Sequence, residues 1–157
     1  MKVFSNTTPL IALAAINQLE LLPRLFDQIY LTDEVMGECA AGGRIFVPNL
    51  HDLSWVIHAT FRQSITPHIL LELDLGEKLT ILSAQEHHAD LVPIDEKLGR
   101  NIAEYLGLRV SGTLGVLLKA KRENLIPSFM QAANSMREHG IFFQPKLIER
   151  LAVTVGE

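Results

Sequence analysis

The chain has 157 residues, of which 48% are hydrophobic and 20% charged, and a formal net charge of -4. That length suits one domain over residues 1–157, and the apolar content with a positive mean hydropathy excludes a disordered chain. No apolar run reaches the ~18 residues that span a bilayer, the start lacks a signal peptide's layout, and the charge excludes a surface built throughout for nucleic acid.

In chain order, residues 2–5 read as a strand, and 9–15 and 18–27 as helices. A second strand over 28–31 is followed by Thr32 and Asp33 as a cap, with Glu34 in the first turn of a helix that ends near Gly42-Gly43. Residues 53–59 form a third strand. The stretch 60–74 is ambiguous, with Pro67 and Asp74 each marking a helix start. Residues 76–88 are helical, 89–94 a buried strand, and 95–106 a helix stopped by Gly107. A brief strand at 108–110 precedes a helix over 113–122. Residues 126–140 then form a helix with Pro127 at its start and His139-Gly140 at its end, and Gln144-Pro145 opens a last one. Strands alternating with helices imply an α/β fold whose mostly parallel sheet is covered on both faces. In such sheets, sites gather at the carboxyl ends of strands.

Polar residues at those ends are Ser5-Asn6, Asp95-Glu96 and Ser111-Gly112-Thr113, with Glu38 and Glu77 on helices nearby. Carboxylates gathered without cations need hydrogen bonds, raised pKa values or a metal. Hard oxygen ligands suit Mg²⁺ or Mn²⁺ with substrate phosphate. Plainer roles exist for each. Asp74 and Glu77 have the spacing of a helix-start box, Asp95 can cap its helix with Glu96 in the first turn, Glu38 can face solvent, and Ser111 and Thr113 can cap. Thr8 as cap before Pro9 leaves Asn6 without a capping duty. The histidines show no metal-ligand spacing, and His87-His88 read as a surface turn. The single Cys39 admits neither an internal disulfide nor a cysteine-rich zinc site, suits a reducing cytoplasm, and reads as a small buried residue. Lys119, Lys121 and Arg122 read as a solvated helix end that could also meet a nucleic-acid backbone.

"SNTTPLIALAAI", "LDLGEKLTILSAQ", "PIDEKLGRNIAEYLGLRVSGTLGVLLKAK" and "LIP" occur in this order. Together they resemble the PIN-domain nuclease family, on the side of the VapC-type toxins, over residues 1 to about 130. The resemblance implies a three-layer α/β/α fold, with residues 126–157 less firmly included, and metal-dependent endoribonuclease activity using Mg²⁺ or Mn²⁺. It also implies RNA as substrate and, as in many relatives, a small antitoxin protein as partner. The family's acids fall here on Asn6, Glu38, Glu77 and Asp95, with Glu96 a further ligand. Thr7, Ser111, Thr113 and Arg100 (in the "GR" step) fall at the substrate. Asn6 departs from the family's usual aspartate: its amide oxygen can still coordinate, but it carries no charge and cannot act as a base.

Two readings follow. One is a ribonuclease, the toxin of a toxin–antitoxin pair in the cytoplasm. The other is an attenuated PIN-like module that binds RNA or protein without cutting, which Asn6 and the net negative charge favour. A receiver-like phosphoacceptor ranks below both, because no acid pair follows the first strand. The apolar faces of "LIALAAI" and "LELLPRLF" suit a homodimer interface, although the same stripe reads first as core.

Overall fold

The computed structural model describes residues 1–61 and 70–157. The helix start expected at Pro67, and His68, lie outside the described residues. Strand β1 (Ile29–Thr32) pairs in parallel with β2 (Val56–Ala59), and β3 (Val92–Pro93) pairs in parallel with β4 (Val110–Ser111). Val3 and Phe4 join these two pairs through parallel bridges, Val3 to Leu91 and Phe4 to Tyr30. The Tyr30 N–H donates to the Val3 carbonyl at 2.8 Å, and the Phe4 and Asn6 N–H groups donate to Leu91 and Pro93, each at 3.0 Å. The segment from Val3 to Asn6 is therefore the middle of the sheet, flanked by β1 and β3. The chain first builds outward on the β1 side and then returns to the β3 side. That reversal opens a crevice at the carboxyl ends of the middle segment and β3.

Side chains alternate across the pleat and serve two cores. Val3, Ile29 and Leu31 pack with α1 (Thr7–Ala15), α2 (Leu21–Phe26), α3 (Asp33–Ala40), α6 (Thr113–Arg122), α7 (Phe129–Glu138) and α8 (Pro145–Val153). Phe4, Val92 and Ile94 pack on the opposite face with α4 (Leu75–Glu86) and α5 (Lys97–Tyr105). The result is an α/β/α sandwich. The apolar stripe that suited a dimer is core, since Leu10, Leu13, Leu21, Leu22 and Phe26 are all buried.

Cap positions differ from the sequence reading in three places that bear on the site. Asn6 holds the N-cap position of α1, so Thr7 and Thr8 already belong to its first turn; yet the Asn6 side chain makes no capping bond. Glu96, not Asp95, caps α5, accepting from the Gly99 N–H at 2.7 Å. Gly112 holds the cap position of α6 in place of Ser111 or Thr113. At the other end, the Glu157 carboxylate accepts from the Ser128 hydroxyl at 2.7 Å and from the Phe129 and Met130 N–H groups at 2.6 and 3.2 Å, completing the start of α7. Lys121 donates to the Pro127 carbonyl at 2.8 Å and Lys119 pairs with Glu123 at 2.9 Å, so part of the basic run serves the local fold. Among the described residues, no helix is long and apolar enough to cross a membrane.

Candidate functional site

Three successive residues at the start of α1 face three different surroundings. Asn6 is buried, and its Oδ1 has no hydrogen-bond partner. A buried amide oxygen left unpaired loses its hydration without compensation, so its position calls for a ligand or a water. The Thr7 hydroxyl donates to Glu38 Oε2 at 2.5 Å. Thr8 lines a cleft on the other side of the crevice.

The Thr7 bond draws Glu38, from the last turn of α3, over the first turn of α4. Gly76 makes this approach possible: a Cβ there would stand 2.3 Å from Glu38 Oε1. Glu77, the next residue, is only 6% exposed. Its carboxyl lies against Gly99 in α5, where a Cβ would stand 3.1 Å from Oε2. Burial, then the charges of Asp74 and Glu96, a bond to the Asp74 carboxyl, and the charge of Glu38 push the Glu77 carboxyl up to about 7. Asp74 also caps α4, accepting from the Glu77 N–H at 2.8 Å, so the cap reading and the cluster hold together. Among the described residues, no cation forms an ion pair with Glu38, Asp74, Glu77 or Glu96.

Asp95, at the end of β3, turns toward α6. Its Oδ1 accepts from the Thr113 N–H at 2.6 Å and its Oδ2 from the Thr113 hydroxyl. Thr113, expected at the substrate, is fully buried and holds Asp95 in place. Thr7, also expected at the substrate, is buried and holds Glu38. Each carboxylate oxygen keeps a second lone pair. Arg100 donates to the Ile94 carbonyl at 3.3 Å and lies beside Asp95 across Gly112, where a Cβ would stand 2.7 Å from Asp95 Oδ1 and 2.8 Å from Arg100 Nη1.

Asp95, Lys97, Arg100 and Ser111 line one wall of a cleft of about 810 Å³; Ile141, Phe142, Phe143, Leu147 and Leu151 line the other. Sequence reasoning placed Arg100 and Ser111 here but not Thr8, Lys97 or the apolar wall. The signal for that wall was "IFF", an apolar run left in a loop between Gly140 and Pro145.

The remaining candidates lie elsewhere. Cys39 is buried, and burial followed by the Glu38 charge pushes its thiol up to about 12, so it is no thiolate nucleophile at neutral pH. His58 and Asp33, which share no sequence spacing, meet at 2.8 Å at the ends of β2 and β1. His87 and His88 form a turn after α4, and the His87 ring also stacks on Phe4 at 5.5 Å, with Nε2 3.2 Å from the Thr60 carbonyl.

The donor set fits a hard divalent cation in its chemistry. It offers carboxylates without paired cations, a carboxyl whose value is raised by burial and by its acidic neighbours, and an unpartnered amide oxygen. Among the described residues no three acids, histidines or cysteines enclose an ion by themselves. The family model DUF3368, described as a PIN domain, matches residues 2–157. No curated protein and no solved structure matches the chain.

Proposed function

The chain belongs to the PIN-domain family, and from that membership we propose that it is a metal-dependent endoribonuclease, the toxin of a toxin–antitoxin pair acting in the cytoplasm. The observation that carries this reading is the uncompensated acidic cluster around buried Glu77, taken together with the unpartnered Oδ1 of Asn6. A fold retains such repulsion at a cost in stability, and a bound cation removes it. Mg²⁺ or Mn²⁺ would be held, with several waters retained, by a few of the groups Glu77, Asp95, Glu38, Glu96 and the Asn6 amide oxygen. When bound, either ion supplies Lewis acidity toward a phosphoryl oxygen and makes a coordinated water more acidic.

The chain's own groups do the rest. Glu38 is fixed through Oε2 by Thr7, which leaves Oε1 to take a proton from the attacking water. Thr113 orients the Asp95 carboxylate through two bonds. Arg100 and Lys97 stand on the cleft wall next to Asp95 and neutralise the phosphate charge of the strand. Asp95→Asn tests this reading. Mg²⁺- or Mn²⁺-dependent cleavage of RNA by the purified protein is lost while the circular dichroism spectrum and melting temperature are retained. Unchanged cleavage refutes it.

The alternative, an attenuated module that binds RNA or protein without cutting, is favoured by the neutral amide at Asn6. Asn6→Asp separates the two. A large gain in metal affinity and cleavage marks an attenuated nuclease, and no gain marks a binding module.

A further inference from the structure

The cleft beside Asp95 has walls of opposite character, and no single apolar or ionic ligand satisfies both. Lys97 and Arg100 stand on one wall and form no ion pair among the described residues. Asp95 is on that wall too, its carboxylate turned toward Thr113, which donates one bond to each oxygen. Opposite them, Phe142 is 82% exposed, with Phe143 and Leu147 beside it. Its neighbour Gly140 has φ +93°, a left-handed turn that ends α7 and carries the following residues across to the cleft. The volume falls within the ~300–1,000 Å³ of small-molecule sites.

An anion joined to a flat aromatic ring matches both walls, and a nucleotide is such a ligand. We propose that this cleft is a nucleobase subsite, in which single-stranded RNA places one base on Phe142 and the adjoining phosphate against Arg100 and Lys97. The inference takes the identity of the strand from the ribonuclease reading, while the cleft and its charges stand independently of it. Duplex RNA does not fit, because its bases remain stacked on one another and offer no face to a side chain.

The test uses the full chain with single-stranded oligoadenylate in EDTA, where binding is separated from metal-dependent cleavage. Phe142→Trp puts an indole at the cleft, and the chain's single native tryptophan, Trp55, is buried. Oligoadenylate quenches the fluorescence of Phe142→Trp saturably and leaves the parent's unchanged, and an RNA duplex of equal length does not quench. Phe142→Ala weakens oligoadenylate binding, read by anisotropy, by about five- to 140-fold, the range expected for loss of one base–aromatic stack. Absent quenching, equal quenching by duplex, or full binding by Phe142→Ala overturns the proposal. Its fate is separable from that of the ribonuclease reading. Quenching without any Asp95-dependent cleavage supports the subsite and removes the nuclease, and Asp95-dependent cleavage without quenching overturns the subsite alone.

Discussion

Glu77→Gln separates the charge of that side chain from its packing. In the parent the carboxyl value rises from 4.5 to about 7 on folding. Between those values the native state holds a proton that the unfolded chain has released. The stabilisation is therefore complete below the unfolded value and is lost as pH rises through the folded one. At about 1.36 kcal/mol per pH unit, ionising Glu77 near pH 8 costs the fold roughly 3 kcal/mol, an upper figure because Asp74, Glu96 and Glu38 share the titration. Glutamine keeps the shape, carries no charge at any of these pH values, and can donate to Asp74. Urea unfolding of parent and variant in EDTA, near pH 5 and near pH 8, measures the difference. With slopes of about 1–3 kcal/mol per molar urea, the variant's midpoint exceeds the parent's by about 1 M or more near pH 8, and the gap narrows toward pH 5. Added Mg²⁺ or Mn²⁺ then raises the parent's midpoint near pH 8 more than the variant's. Parallel pH curves for the two proteins would refute the argument from burial and repulsion.

Further outcomes follow from neighbouring contacts. Gly76→Ala adds a Cβ that displaces the flexible Glu38 carboxylate but favours the helix by up to about 1 kcal/mol. Thermal melting shows stability kept or raised, while cleavage falls, given that a misplacement of about 1 Å costs up to ~100-fold. Asn6→Asp brings another carboxylate to a buried position and lowers metal-free stability by on the order of 2 kcal/mol. Mn²⁺ restores that loss in calorimetry if the position faces the cation. Glu157→Ala removes the acceptors at the start of α7 and lowers stability by about 1 kcal/mol at neutral pH. Burial alone would raise the Glu157 carboxyl, but bonds from Ser128, Phe129 and Met130, with Lys121 nearby, hold it below its usual value. Its stabilisation is thus present above the unfolded value and lost as pH falls through the folded one, and an equal melting difference in strong acid contradicts this.

Much of the architecture was legible because the apolar runs are strongly periodic. Val3-Phe4, the strand at 29–32 and the helix at 113–122 all stand close to where periodicity puts them. Cap positions were less legible. Ser5, Asn6, Thr7 and Thr8 all suit a helix start, as Asp95 and Glu96 both do, and only tertiary contacts decide among them. Asp95 leaves its own helix to hold Thr113, eighteen residues on. Pairings across the sheet, such as Asp33 with His58, leave no trace in local spacing, because the parallel register of β1 and β2 creates them. The apolar wall at Phe142 was hidden for a related reason: "IFF" has no period, and only the path of the loop after α7 sets it opposite Arg100.

The central place of Val3 and Phe4 in the sheet also shapes how the chain assembles. Their partners are Tyr30 on one side and Leu91 on the other, a near neighbour and a distant one. Pairing the middle segment with β1 closes a much shorter loop than pairing it with β3. Until Leu91 and Val92 arrive, the middle segment has an open edge carrying unpaired amides, the kind of edge that recruits other chains. The same closure that brings Asp95 alongside Asn6 covers that edge. Covering the edge and completing the crevice are thus one event in this topology.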